Sequence, residues 1–250
     1  MKVAVAQIAS TKGDVEANIT RHLQAMRIAS EREVHYLVFP ELSLTGYEPE
    51  LAADLAFTSH DDRLQPLVEA AKTLNISIGV GAPFKTDGLP QIGMFIIKNS
   101  GTIEHYAKMN LHPGEERYFS KGDSHHFVSL GKQKIANAIC ADANSPQHAL
   151  ACRRAGCDIY MAGVLISESG YTADAAVLAK TAQDTGMLVA IANHNHPTGG
   201  WSAAGKSSIW SQQGLLASTN ETQNALVIAQ YELCHWKGEV VVLQQATVQG

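Results

Sequence analysis

Hydrophobic and polar positions follow two periods along the chain. Short runs rich in Val, Ile and Ala, bounded by Gly, Asn, Ser or charged residues, have the length of strands, and helix-period segments separate many of them. The predicted strands are 2–8 (KVAVAQI), 35–39 (HYLVF), 76–82 (ISIGVGA), 93–98 (GMFIIK), 102–108 (TIEHYAK) and 126–130 (HFVSL). Six more follow at 134–140 (KIANAIC), 158–163 (DIYMAG), 188–193 (LVAIAN), 207–211 (SSIWS), 225–231 (ALVIAQY) and 240–245 (VVVLQQ). Between the first two strands, DVEANITRHLQAMRIASERE places Val15, Ile19, Leu23, Met26 and Ile28 near one helical face, with Asp14 as N-cap. DRLQPLVEAAKTL predicts a second helix, which confines Pro66 to its first turns or is kinked by it. NSPQHALACRRAG and TADAAVLAKTAQDTG predict two more, each ending at a Gly suited to a left-handed C-cap. FIIKNSGTIEHY reads as two antiparallel strands joined at Asn99, Ser100 and Gly101.

This alternation is that of an α/β protein whose helices cover a sheet. No segment is Pro-rich, Ser-rich or charge-biased enough to be a linker, so residues 1–250 are expected to form a single domain. YLVFPELSLTGY and YMAGVLISESGY echo one another, each running from an apolar strand to a Gly-Tyr before a helix. That echo fits two related halves packed sheet against sheet.

Composition narrows the function. A chain of 250 residues, 45% hydrophobic and 17% charged, has apolar material for a large core. Its apolar runs fall far short of the roughly 18 residues of a membrane span. The N-terminal MKVAVAQIAS lacks the longer apolar region of a secretory signal and reads as the first strand of a cytoplasmic protein. The net charge is -5 and the 19 basic residues are scattered, which argues against a nucleic-acid partner. The four cysteines, Cys140, Cys152, Cys157 and Cys234, show no C-x-x-C spacing, so free thiols are expected rather than a redox motif or zinc site.

Three stretches carry candidate chemistry. In HYLVFPELSLTGYEP a buried strand ends at Pro40, which denies the ladder a donor, and Glu41 follows. In KIANAICADANSPQ a strand ends at Cys140 before a helix that starts near Asn144 to Pro146. The positive end of such a helix favours a thiolate, and Asp142 opposes it. The plainer alternative is a buried, apolar Cys140, the reading assigned to Cys152 and Cys157. In HYAKMNLHPGEERYFSKGD, Lys108 closes a strand and precedes Glu115, Glu116 and Arg117. It reads either as a solvated strand end or as a fixed cation for a developing oxyanion. The histidines of HNHP (194–197) and of the pair 125–126 invite a metal reading, since His194 and His196 would share a face on a strand. No third ligand has recognisable spacing, and no metal is expected.

In this order and at these separations, VFPELSLTGY, the Lys of AKMNLHPGEERYFSKGD and the Cys of NAICADANSP resemble the Glu-Lys-Cys triad of the nitrilase superfamily of carbon-nitrogen hydrolases. GEERYFSKGD is similar to the superfamily's Glu-x-Arg-x-Phe-x-x-Gly stretch, which maps its fourth active-site residue onto Glu115. ANHNHPTGGWSAAGKSSIWSQQGLLAS is similar to its Asn...Gly-x-Ser...Gly strand-turn-strand region. The resemblance runs from about residue 1 to about 245. It implies a four-layer αββα sandwich, paired as a homodimer or larger, with no cofactor.

It further implies hydrolysis of a small amide through a thioester on Cys140, with Glu41 as general base. Lys108 and the Ala141 N–H would hold the oxyanion, and Glu115 would orient Lys108 or the amide. Tyr47, Ala141, Asn144, Val164 and Leu165 are the expected pocket residues beside Glu115. His112, Arg117, His194 and His196 are expected either to meet a substrate carboxylate or to be solvated. An amidase of ω-amido or carbamoyl-amide type is expected ahead of a nitrilase, an acyltransferase or a catalytically silent binding protein. The chain departs from the family at Ala141 and ANSPQ, where an aromatic and Arg-Phe-Pro-Glu are common. AKTAQDTG replaces Arg-Ala-x-Glu-Asn, and GVLISESGY replaces a Pro- and Trp-bearing segment. All three departures fall around the pocket.

Overall fold

The computed structural model describes residues 1–243. Its strands are β1 (Lys2–Gln7), β2 (Tyr36–Val38), β3 (Ser77–Phe84), β4 (Gln91–Ile97), β5 (Ile103–Ala107), β6 (Phe127–Leu130), β7 (Gln133–Ile139), β8 (Ile159–Val164), β9 (Leu188–Asn193), β10 (Ser208–Ser211), β11 (Gly214–Ser218), β12 (Ala225–Glu232) and β13 (His235–Val242). The helices are α1 (Val15–Glu31), α2 (Ala52–Leu55), α3 (Gln65–Thr73), α4 (Pro146–Arg154) and α5 (Tyr171–Thr185). A 7-stranded sheet runs β13-β12-β1-β2-β3-β4-β5, and a 6-stranded sheet runs β11-β10-β9-β8-β7-β6. Each has a parallel centre, β1-β2-β3 in one and β7-β8-β9 in the other, flanked by antiparallel strands. The sheets pack face to face, α1 and α3 cover the outside of the first, and α4 and α5 cover the second. This is the expected αββα sandwich, and the echo between the two halves is its matching β-α-β pairs.

Burial on both faces explains why the central strands read as continuous apolar runs. In β1, Val3 and Val5 enter the core between the sheets while Ala4 and Ala6 meet the α1 layer. The Tyr36 hydroxyl crosses between the sheets and donates to Asn137 Oδ1 at 2.7 Å. Asp14 caps α1 as expected, accepting from Ala17 N at 3.0 Å. The buried stripe of α1 is rotated from the predicted one, however, and runs Asn18, Ile19, His22, Ala25, Met26, Ala29. Asn18 and His22 occupy core positions because their polar atoms find partners there. Asn18 Nδ2 donates to Leu44 O at 3.1 Å, and His22 Nε2 meets Ser43 Oγ at 2.9 Å. Through these bonds α1 grips the turn that follows β2. Pro66 lies at the start of α3, and Gly186 ends α5 with φ +69°.

Three elements differ from expectation. β11 was hidden in a mixed-polarity stretch and forms by pairing with β10 across a register shift. The short α2 lacked a periodic signature. The last strand begins at His235 rather than 240, because Leu233 and Cys234 both adopt positive φ and make a tight reversal without Gly or Asn. Residues 244 and 245 of the predicted strand lie outside the described residues. Among the described residues no helix is long and apolar enough to cross a membrane.

Candidate active site

The parallel strands β2, β7 and β8 end at the same side of the sandwich, the side where open α/β sheets present functional groups. Glu41 stands in the turn after β2. Pro40 ends the ladder, and the turn is drawn tightly between the sheets by two glycines. A Cβ on Gly81 of β3 would lie 2.3 Å from Leu42 N, and one on Gly163 of β8 would lie 2.5 Å from Phe39 O. His194 holds the turn from below, its Nε2–H donating to Glu41 O at 2.7 Å. Burial lowers the His194 pKa to about 4, so the ring is neutral.

Lys108 follows β5, and its side chain is fully buried. Its Nζ donates to Glu41 Oε1 at 2.7 Å and to Glu115 Oε1 at 2.8 Å. Glu115, in a single 3₁₀ turn, also accepts from the Tyr47 hydroxyl at 2.6 Å and from His112 N at 2.7 Å. One ammonium therefore serves two carboxylates, and Glu41 Oε2 has no hydrogen-bond partner among the described residues. Burial raises the Glu41 pKa to about 7, Lys108 opposes that rise and Glu115 adds to it. Burial disfavours the Lys108 ammonium, yet the carboxylates of Glu41 and Glu115 outweigh it and the pKa moves up.

Cys140 begins a 3₁₀ turn after β7, with φ +44°, a conformation rare outside glycine. Asp142 braces that turn. Its carboxylate accepts from Ile139 N at 3.1 Å, from Tyr106 Oη at 2.7 Å, and from Asn110 N and Nδ2, both at 2.8 Å. It thus ties the cysteine turn to the segment that carries Lys108. Cys140 Sγ lies 3.7 Å from Leu165 O, which accepts its S–H, and 3.7 Å from His112 Nε2. The expected thiolate bias of the helix terminus does not prevail. Burial and the Glu41 charge hold the thiol well above its ordinary range, against the pull of Lys108.

A cavity of about 440 Å³ opens over Cys140, Glu41 and Glu115. Tyr47 and Leu165 line it. Ala141, Asn144 and Val164 are not among its lining residues, a correction to the expected pocket. Val164 is buried because alternation along β8 turns Gly163 toward the first sheet and Val164 toward the helices. Asn144 falls in the link between the 3₁₀ turn and α4, and Ala141 lies within the turn itself. The wall is completed by residues not anticipated for this role: Tyr118, Asp174, Trp201 and Ile166. Asn193 fixes that wall, bonding Ile166 N and O and Gly205 O from β9. His112 lines the cavity, whereas Arg117 does not. His194 is buried under the Glu41 turn and His196 is exposed, because the chain leaves β9 at Asn193 and strand alternation no longer applies.

A thiol on a strained turn and a carboxylate near neutral pKa thus face one cavity, and a buried, fixed ammonium is bonded to that carboxylate. The profile of the carbon-nitrogen hydrolase family matches residues 2–236. A glutamine-dependent NAD(+) synthetase from Thermotoga maritima is 31% identical over 153 residues, 58% of this chain and 26% of the synthetase. The chain thus spans about a quarter of that relative's length. An (R)-stereoselective amidase from Pseudomonas sp. is 27% identical over 160 residues, 64% of this chain and 58% of the amidase. A solved structure of an amidase from Nesterenkonia sp. AN1, with acrylamide added at its active-site cysteine, superposes with a TM-score of 0.85 at 22% identity and covers 93% of both chains. A variant of that amidase was solved in complex with butyramide, with a TM-score of 0.84 at 22% identity over 91% of this chain and 89% of the amidase.

Proposed function

The chain belongs to the carbon-nitrogen hydrolase family, and from that premise we propose that it hydrolyses a small amide through a thioester on Cys140, releasing ammonia or an amine. The observation that carries this reading is Lys108 clamped between Glu41 and Glu115 beside Cys140, with Glu41 Oε2 left without a partner among the described residues.

Cys140 Sγ attacks the amide carbon as its proton passes to Glu41 Oε2. The tetrahedral oxyanion is held by the Lys108 ammonium, a well-placed donor contributing about 3 kcal/mol. Glu41 returns the proton to the departing nitrogen, the C–N bond breaks, and the thioester remains. Glu41 then takes a proton from water, which attacks the thioester and frees the acid and the thiol. Glu115 is a positioning residue, since it holds Lys108 from the side opposite Glu41. A Glu41 pKa of about 7 suits a group that must both accept and return a proton near neutrality.

The acyl side of the substrate is read from the wall. Among the described residues no Lys or Arg lines the cavity, Asp174 does, and Tyr47, Tyr118 and Trp201 supply aromatic faces. Burial and the Lys108 charge lower the His112 pKa, against Glu115 and Asp174, so the ring offers no firm cation. An uncharged or cationic acyl group fits this lining, whereas the carboxylate of an ω-amido acid would face Asp174. A homodimer in the cytoplasm completes the proposal. Exposed Leu150 on α4 is an apolar residue that pairing through the α4–α5 layer would cover, and light scattering tests the assembly.

The deciding experiment reads ammonia release from propionamide, β-alaninamide, succinamate, N-carbamoyl-β-alanine and propionitrile. The expected result is turnover of propionamide or β-alaninamide, with kcat/KM for succinamate at least about tenfold lower, near 1.4 kcal/mol. Ammonia from the nitrile alone, or from none of the five, overturns the amidase reading.

A further inference from the structure

We infer that His125, His148 and Cys152 form a binding site for one zinc-class divalent cation behind the turn that carries Cys140. Cys152 Sγ lies 3.7 Å from His125 Nδ1 and 3.8 Å from His148 Nδ1. One donor atom from each residue falls within 4.8 Å of the others. Tetrahedral zinc, with Zn–S about 2.3 Å and Zn–N about 2.0 Å, sets its sulfur-to-nitrogen edges at about 3.5 Å. The two sulfur-to-nitrogen distances are therefore within a few tenths of an ångström of those edges. α4 supplies His148 and Cys152 from one face at i,i+4 spacing, and His125 comes from the loop before β6. A second cavity of about 110 Å³, lined by His125, Tyr106, Asp123, Ser124 and His105 among others, adjoins the cluster. It gives an entry path and polar room for water as a fourth ligand.

The surrounding hydrogen bonds prepare His148 as a ligand. The Tyr106 hydroxyl donates to Asp142 Oδ2 at 2.7 Å, so its oxygen accepts from His148 Nε2–H at 3.0 Å. His148 Nδ1 is then a bare lone pair, met by the Tyr160 hydroxyl at 2.8 Å. A cation can take that lone pair because Tyr160 has a second acceptor in reach, Asp142 O at 3.0 Å. A histidine whose other nitrogen is fixed through a chain to a carboxylate is the usual outer shell of a metal ligand.

A cysteine binds such a cation as the thiolate, so the cation displaces the thiol proton. The step is M²⁺ + Cys–SH → (Cys–S–M)⁺ + H⁺, and one proton leaves per metal bound. The sequence assigns Cys152 to packing, yet packing alone does not bring two imidazole nitrogens onto one sulfur.

The test uses Cys140→Ala protein, which removes the thiol beside His112 from competition. Titration with Co²⁺ is expected to give near-UV thiolate-to-cobalt absorption that saturates at one equivalent, with one proton released per cobalt in weak buffer. The band is expected to vanish with Cys152→Ser added, and apparent affinity to fall at least about tenfold with His125→Ala added. Thermal melts confirm that each variant is folded, and His125→Ala decides if Cys152→Ser is not. Absence of the band, its survival in folded Cys152→Ser, or unchanged affinity in His125→Ala overturns the site.

Discussion

Lys108 Nζ stands 2.7 Å from Glu41 Oε1 with both side chains fully buried. The pair is not isolated, because Glu115 claims the same ammonium at 2.8 Å. A buried cation shared by two carboxylates cannot neutralise both, and the deficit falls on Glu41, whose second oxygen has no partner among the described residues. Removing the cation leaves two unpaired charges in the interior. Lys108→Met is expected to lose about 3–5 kcal/mol of stability, read by denaturant unfolding. Its turnover is expected to fall at least a thousandfold.

The pH dependence follows from the same crowding. Glu41 must be ionised to take the thiol proton, and burial raises its pKa to about 7. The acidic limb of kcat/KM is therefore expected to rise with pH and bend near 7, well above an ordinary carboxylate. A limb that bends at an unperturbed pKa of about 4.3 removes Glu41 as the base.

Asp142 touches no substrate in the proposed reaction but braces the Cys140 turn through bonds from Ile139, Tyr106 and Asn110. Asp142→Ala is expected to cost about 3 kcal/mol of stability, since several buried donors lose their acceptor. It is expected to lower kcat more than it changes KM. A variant of normal kcat contradicts the bracing role.

Gly81 tests the close approach that places Glu41. Gly81→Ala puts a methyl 2.3 Å from Leu42 N and 2.6 Å from Pro40 O, both backbone atoms. A loss of about 1–3 kcal/mol and a large drop in activity are expected. Gly88→Ala, whose methyl meets nothing within 4 Å, serves as the control and is expected to change stability by less than about 0.5 kcal/mol.

Glu41, Lys108, Glu115 and Cys140 were legible because each follows a strand or lies in the next loop, and their order carries the family resemblance. The sheets were legible for a related reason, since strands buried on both faces read as apolar runs. The pocket wall was not. Trp201, Tyr118 and Asp174 come from separate segments, and only the packing of the loop after β9 against the β8 end brings them together. The α1 face was misjudged because Asn18 and His22 look solvent-facing until their partners in the Glu41 turn are known. Cys152 likewise looks like a core residue until His125 arrives from a distant loop. A period in the sequence reports burial, whereas convergence of polar atoms depends on the fold.

The central claim is a covalent acyl group on Cys140, and mass spectrometry reads it directly. Protein incubated with propionamide and quenched in acid is expected to carry a propionyl adduct, mapped by peptide digestion to Cys140. Hydroxylamine is expected to release it as the hydroxamate, and purified Cys140→Ala is expected to show neither adduct nor ammonia. Ammonia release retained by Cys140→Ala, or an adduct on any other residue, contradicts the thioester mechanism.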